Sequence, residues 1–130
     1  MKIEIKIEFL KIGKEKVTKQ LLKKEKELPN STIRALEGIM QDIKNYFAMR
    51  MVKISEPKCF VNTREGLRGI IRFELAEVMR HKITPEMQTS VVMKAFERDM
   101  ANFCKILRKF YKDKKIDAEV TSEIVKDGRA

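Results

Sequence analysis

Tryptophan is missing from this sequence and turn-forming or metal-binding residues are scarce: three Pro, five Gly, one His and two Cys in 130 residues. So few Gly and Pro argue against a turn-rich β architecture. Cys59 and Cys104 stand apart, with no CxxC pair and no neighbouring histidine, so a zinc ion would lack its usual four donors and buried thiols are expected. So few cysteines suit a reducing compartment. The opening MKIEIKIEFL interleaves charges with apolar residues and so lacks the apolar core of a signal peptide, and no transmembrane span follows. A cytoplasmic chain without a membrane partner is expected. Also missing are a GxxxxGK[ST] phosphate loop, a GxGxxG turn after the first strand and a GxSxG elbow, which removes the best-known nucleotide-binding and acyl-transfer signatures; no cofactor is implied.

Positive charge is what the chain has in excess. Its 29 Lys+Arg against 19 Asp+Glu give a formal +10, a balance that attracts polyanions, nucleic acid above all; a Lys- and Glu-rich soluble surface is the alternative origin. The length fits a single domain over residues 1–130 with its own core, and 43% hydrophobic with 37% charged residues favours long helices.

Along the chain, Ile3, Ile5, Ile7 and Phe9 alternate with Lys2, Glu4, Lys6 and Glu8, the period of a strand over residues 1–10. A loose helical pattern over 14–28 ends at Pro29. Asn30 or Ser31 then caps a helix to about Met51, with Ile33, Leu36, Met40, Ile43 and Phe47 as its seam. Residues 52–61 read as a short hairpin or an irregular connection. Asn62 with Glu65 approximates a capping box before Leu67, Ile70, Ile71, Leu75, Val78 and Met79, which predicts a third helix ending near His81 or Lys82. Thr84-Pro85-Glu86 opens a long fourth helix with Val92, Phe96, Met100, Phe103, Leu107 and Phe110 along its apolar stripe. Ile116, Ala118, Val120 and Ile124 alternate as a terminal strand over 116–125, and 126–130 should fray. The expected fold is mainly α: a compact bundle of about four helices, a helical body over 14–115, with short strands at both ends.

Wound as helices, the sequence presents three basic rows: Lys16, Lys19, Lys23 and Lys26; Arg64, Arg68 and Arg72; and Lys105, Arg108, Lys109 and Lys112. Stacked cations repel unless acids or an anionic partner compensate them. Glu15, Glu25 and Glu27 neutralise much of the first row. In the second, guanidinium forks match phosphate oxygens, although Arg68 pairing with Glu65, or Arg72 with Glu65 or Glu77, accounts for the same residues. In the third only Asp113 offsets a cluster running on through Lys114 and Lys115, while the dipole of a helix C-terminus also favours cations there. His81, between Arg80 and Lys82, has no evident orienting partner for general-base work. Gly66-Leu67-Arg68-Gly69 matches a GXXG clamp only by letters.

The expected function is a non-catalytic, nucleic-acid-binding protein that contacts the phosphate backbone of RNA or DNA through these rows and associates with other subunits or itself. In size, charge and expected helix content it resembles the small basic helical subunits of RNA-guided antiviral effector complexes, most of all over 70–80 and 103–111, which implies a place in a nucleoprotein assembly. Two alternatives remain open: an interaction module for an acidic protein partner, and a small metal-dependent nuclease using Glu74, Glu77, Glu97 and Asp99.

Overall fold

The computed structural model describes residues 1–84, 86 and 90–125. The alternation at the start makes β1 (Lys2–Ile12), which bends at Gly13 (φ +64°) into a two-residue β2 (Glu15–Lys16). Thr18 caps a short α1 (Lys19–Lys24) by accepting the Leu21 amide, and α2 (Leu28–Ala48) follows with Pro29 in its first turn. Pro29 thus begins a helix, where its missing N–H costs nothing, and does not end one. After α2 come β3 (Val52–Ile54), β4 (Lys58–Asn62) and the long β5 (Leu67–Val78), which folds back as β6 (His81–Lys82). Met79 and Arg80 both hold positive φ in that turn, the twist a two-residue hairpin loop requires. Ser90 caps α3 (Val91–Asp113) by accepting the Met93 amide, and β7 (Ile116–Val125) closes the chain.

These strands form one sheet in which β1 lies between β7 and β5, and both β3 and β4 line the far edge of β5, every pairing antiparallel. With α2 following β1 and α3 following β5, the main elements run β-α-β-β-α-β in the strand order β7-β1-β5-β4, the arrangement of ferredoxin-like domains. Fold alone assigns no function.

The α+β architecture overturns the expected four-helix bundle and its helical body over 14–115. The decisive element is β5. Its apolar residues satisfy a helical spacing, yet Leu67, Gly69, Ile71, Phe73 and Leu75 also alternate, and pairing with β1 on one side and β4 on the other selects the strand. Residues 52–61 are not a hairpin either, because β3 and β4 both pair with β5. Residues 14–28 hold a strand, a six-residue helix and a turn where one helix was expected. The last helix starts at Val91 under Ser90, not at Thr84; Pro85 and the tail 126–130 lie outside the described residues.

One face of the sheet carries both long helices. Ile3, Ile5, Ile7 and Phe9 of β1 meet Leu36, Ile39, Ile43 and Phe47 of α2 and Met93, Phe96, Met100, Phe103, Leu107 and Tyr111 of α3 in one core. Phe47 touches the rings of Phe73, Phe96 and Phe103, and the Tyr46 hydroxyl donates to the Asp99 carbonyl, tying the two helices together. Burying each such side chain contributes roughly 1.5–3 kcal/mol. Burial also pushes the Tyr111 phenol up to about 12.

The close approach of α2 to the sheet falls at Gly69, where an added Cβ would lie 2.9 Å from a Leu36 Cδ. Leu36 is fully buried, so its methyl groups can give way only by repacking against their core neighbours. Gly69→Ala should therefore destabilise the fold by about 1–3 kcal/mol. Gly38→Ala, on α2 with open space around it, should instead stabilise by about 0.5–1 kcal/mol. Urea midpoints followed by circular dichroism distinguish the two; equal effects would mean that Leu36 yields at no cost.

Candidate nucleic-acid interface

Alternation on the strands sends every second residue to the face away from the helices, and the register lines these residues up in rows. Across the sheet run Lys58, Arg72, Glu4 and Glu123; Phe60, Ile70, Lys6 and Thr121; Asn62, Arg68, Glu8 and Glu119; and at the end Glu74, Lys2 and Val125. Five cations meet five carboxylates on this face, so it is neutral overall and the +10 of the chain resides elsewhere.

The arginine row sits here, on a strand and its preceding loop and not on a helix. Arg72 donates through Nε to Glu4, which is only 5% exposed, and Lys6 lies 3.6 Å from the other Glu4 oxygen. Arg68 lies between Glu8 at 3.8 Å and Glu65 at 3.9 Å, while Arg72 also stands over the Phe60 ring at 5.4 Å. Arg64 is in the β4–β5 connection, where its backbone N–H donates to Asn62 and its side chain is exposed. Two of the three guanidinium groups thus already have carboxylate partners.

Cations without such partners gather on α3. Lys94, Arg98, Lys105, Lys109 and Lys112 recur at steps of four, seven, four and three, a single helix face, with Arg108 beside it; all six are exposed. Among the described residues none of the six forms an ion pair. The ridge from Lys94 to Lys112 is about 27 Å long at 1.5 Å per residue. Arg108 differs from the others in donating through Nη2 to the Val120 carbonyl at 2.7 Å, which anchors its guanidinium against β7. The basic row read from the sequence began at Lys105; Arg98 and Lys94 continue the same periodicity about two and three turns further back.

At its C-terminal end the ridge reaches a cleft of about 490 Å³ lined by Lys11, Gly13, Arg108, Lys112, Lys115, Ile116, Asp117 and Ala118. Lys11 arrives there from β1, opposite both Lys16 of β2 and Asp117 of β7. No local sequence signal links Lys11 to α3; only the pairing of β1 with β7 does. Lys16 is therefore on the hairpin, Lys19 and Lys23 are one turn apart on α1, and all three are exposed, so the first predicted row does not exist as one helix face.

Between α2 and α3 lies a second, mostly apolar groove of about 280 Å³, with Ile39, Tyr46, Phe103, Ile106 and Phe110 among its walls. Ile106 and Phe110 are about half exposed, and the Lys114 ammonium is 4.9 Å from the centre of the Phe110 ring. The remaining candidates do not assemble. Glu74 and Glu77 are on β5, Glu97 and Asp99 on α3, and among the described residues no three His, Cys, Asp or Glu side chains are placed to hold a metal ion. His81 is exposed on β6. Cys59 and Cys104 are free thiols, both pushed up by burial. Among the described residues no helix is long and apolar enough to cross a membrane. No protein-family model, curated protein or solved structure matches the chain.

Removing the guanidinium from Arg72 leaves the buried Glu4 carboxylate with Lys6 alone. Arg72→Ala should cost about 1–3 kcal/mol of stability, whereas Arg64→Ala should stay within about 0.5 kcal/mol. Denaturant titration of the two variants checks this; a neutral Arg72→Ala would mean that Lys6 and water suffice for Glu4.

Proposed function

We propose that this chain is a non-catalytic nucleic-acid-binding protein that grips the phosphate backbone along the cationic ridge of α3, and that it works in the cytoplasm. The observation behind this reading is the division of charge: the arginines of the sheet face are matched by carboxylates, and the six cations of α3 are not. A row of unmatched cations stores repulsion that a polyanion relieves, releasing counterions as it binds.

Base reading on the sheet has little support. RNA-recognition sheets of four strands stack bases on aromatic side chains of their central strands, whereas those positions here hold Glu4, Lys6, Ile70 and Arg72. Phe60, on the edge strand, is the aromatic that this face offers. Backbone contact with weak sequence preference is the mode the residues favour. Of the size, charge and helix content that made the chain resemble helical effector subunits, the α+β fold removes the helix content.

Arg98, Lys105 and Lys109 are exposed on a long helix, so their joint replacement by Ala leaves the fold intact. Labelled single- and double-stranded oligonucleotides titrated at several salt concentrations should bind the native chain in the micromolar range or better at low salt. The triple variant should lose affinity across unrelated sequences and flatten the log–log salt slope by about 2–3. Lys58→Ala on the neutral face should bind normally. An unchanged slope in the triple variant removes α3 from the interface, and no binding at low salt removes the reading.

A second reading, a module for a protein partner, is favoured by the groove between α2 and α3. At about 280 Å³ it falls just below the usual range of small-molecule pockets; half-exposed Ile106 and Phe110 form part of its wall, Lys114 stands over the Phe110 ring, and Asp42 is the charged residue in its lining. The matching occupant is an amphipathic helix with apolar side chains inward and its carboxylates on the Lys114 side, away from Asp42. A designed acidic amphipathic peptide should bind the native chain and not Phe110→Asp, with oligonucleotide binding retained in the variant; equal binding of both proteins would dismiss the groove.

A further inference from the structure

We infer that the cleft at the end of α3 takes the terminal nucleotide of a strand by its phosphate monoester; this deepens the proposed function and rests on it. The ridge and the cleft present charge differently. Along the ridge successive cations are spread over about 27 Å, a spacing suited to diesters that each carry one charge. In the cleft Lys11, Arg108, Lys112 and Lys115 surround one cavity, opposed by the single carboxylate of Asp117. A diester passing through would neutralise only one of the four. A monoester carries about −1.5 to −2 at neutral pH and three acceptor oxygens, so one small group offsets about half of the concentrated charge.

Size and construction agree with this. A volume of about 490 Å³ lies within the range of small-ligand pockets, and Ile116 and Ala118 give the cavity an apolar side for a sugar or base. Arg108 is held by its bond to the Val120 carbonyl, so one edge of its guanidinium is committed and the rest is oriented in advance. Lys115 has φ +61° in the turn that ends α3, a position where helices usually place glycine, and its carbonyl accepts the Gly13 amide at 2.8 Å. That bond joins the β1–β2 hairpin to the α3–β7 turn and closes one side of the cleft. A lysine in a left-handed conformation is disfavoured locally, a cost that its charge near the helix C-terminus offsets only in part, and it adds a cation to the cleft.

Lys115→Gly is therefore a selective probe: glycine suits the turn and the cleft loses one charge. Oligonucleotides of one sequence with a 5′-phosphate, a 3′-phosphate or hydroxyls at both ends are titrated against the native chain, Lys115→Gly, Lys11→Ala and the ridge variant Arg98→Ala/Lys105→Ala/Lys109→Ala. Native protein should prefer one phosphorylated end over the hydroxyl form by about tenfold, some 1.4 kcal/mol, and the preferred end tells which terminus enters. Lys115→Gly and Lys11→Ala should lose most of that preference, keep their affinity for the hydroxyl form, and melt no lower than the native chain in the case of Lys115→Gly. In the ridge variant overall affinity should fall and the preference remain. Equal affinity for all three oligonucleotides in the native chain overturns the inference and leaves the ridge reading standing. So does a preference that survives both cleft substitutions. Failure of every oligonucleotide to bind overturns the two together.

Discussion

Strand β1 is the constraint on which everything else depends. It is paired along nearly its whole length on both sides, with β7 and with β5, and its alternation divides the molecule into two chemistries. Ile3, Ile5, Ile7 and Phe9 anchor the core under both helices; Lys2, Glu4, Lys6 and Glu8 meet the charges of β5 and β7 on the opposite face. A one-residue slip of this strand would exchange the two sets and bury four charges, which makes its register strongly specified.

From that division follows the placement of the positive charge. The sheet offers alternating partners at cross-strand distance, so its cations and carboxylates cancel in rows, as Arg72 and Glu4 or Arg68 and Glu8 do. A helix lying on the other face has only its own neighbours along its solvent side, and on α3 the charged ones are mostly Lys and Arg. The excess therefore collects on the helical side, where α3 runs into the turn at Lys115 and the end of β1. Ridge and cleft are continuous for that reason, with Arg108 and Lys112 belonging to both.

Elements whose burial is one-sided and whose period is unambiguous were legible. β1 and β7 alternate cleanly, and α2 and the body of α3 carry apolar stripes too long for strands, though on α2 Ile39 and Thr32 are buried in place of Ile33 and Met40. β5 was not legible. As a central strand it carries Ile70 on the open face as well as Ile71 in the core, and this doublet completes a helical pattern while breaking a strict alternation. The error carried over to the site: Arg64, Arg68 and Arg72 make a helix row only if the segment is a helix. As a strand it places Arg68 and Arg72 on the open face, facing Glu8 and Glu4 some sixty residues earlier in the chain, and no local rule weighs such distant partners.

The sequence by itself determined the strongly basic balance, the terminal strands, the two long helices and the cluster Lys105, Arg108, Lys109 and Lys112, because each follows from composition or from a period within one segment. Only the tertiary structure decided that 67–78 is a strand, which cations are neutralised, and that Lys11 joins Arg108, Lys112 and Lys115 around one cavity. Those outcomes depend on pairing between segments far apart in the chain, where the energy of a choice is set by a neighbour that local periodicity does not contain.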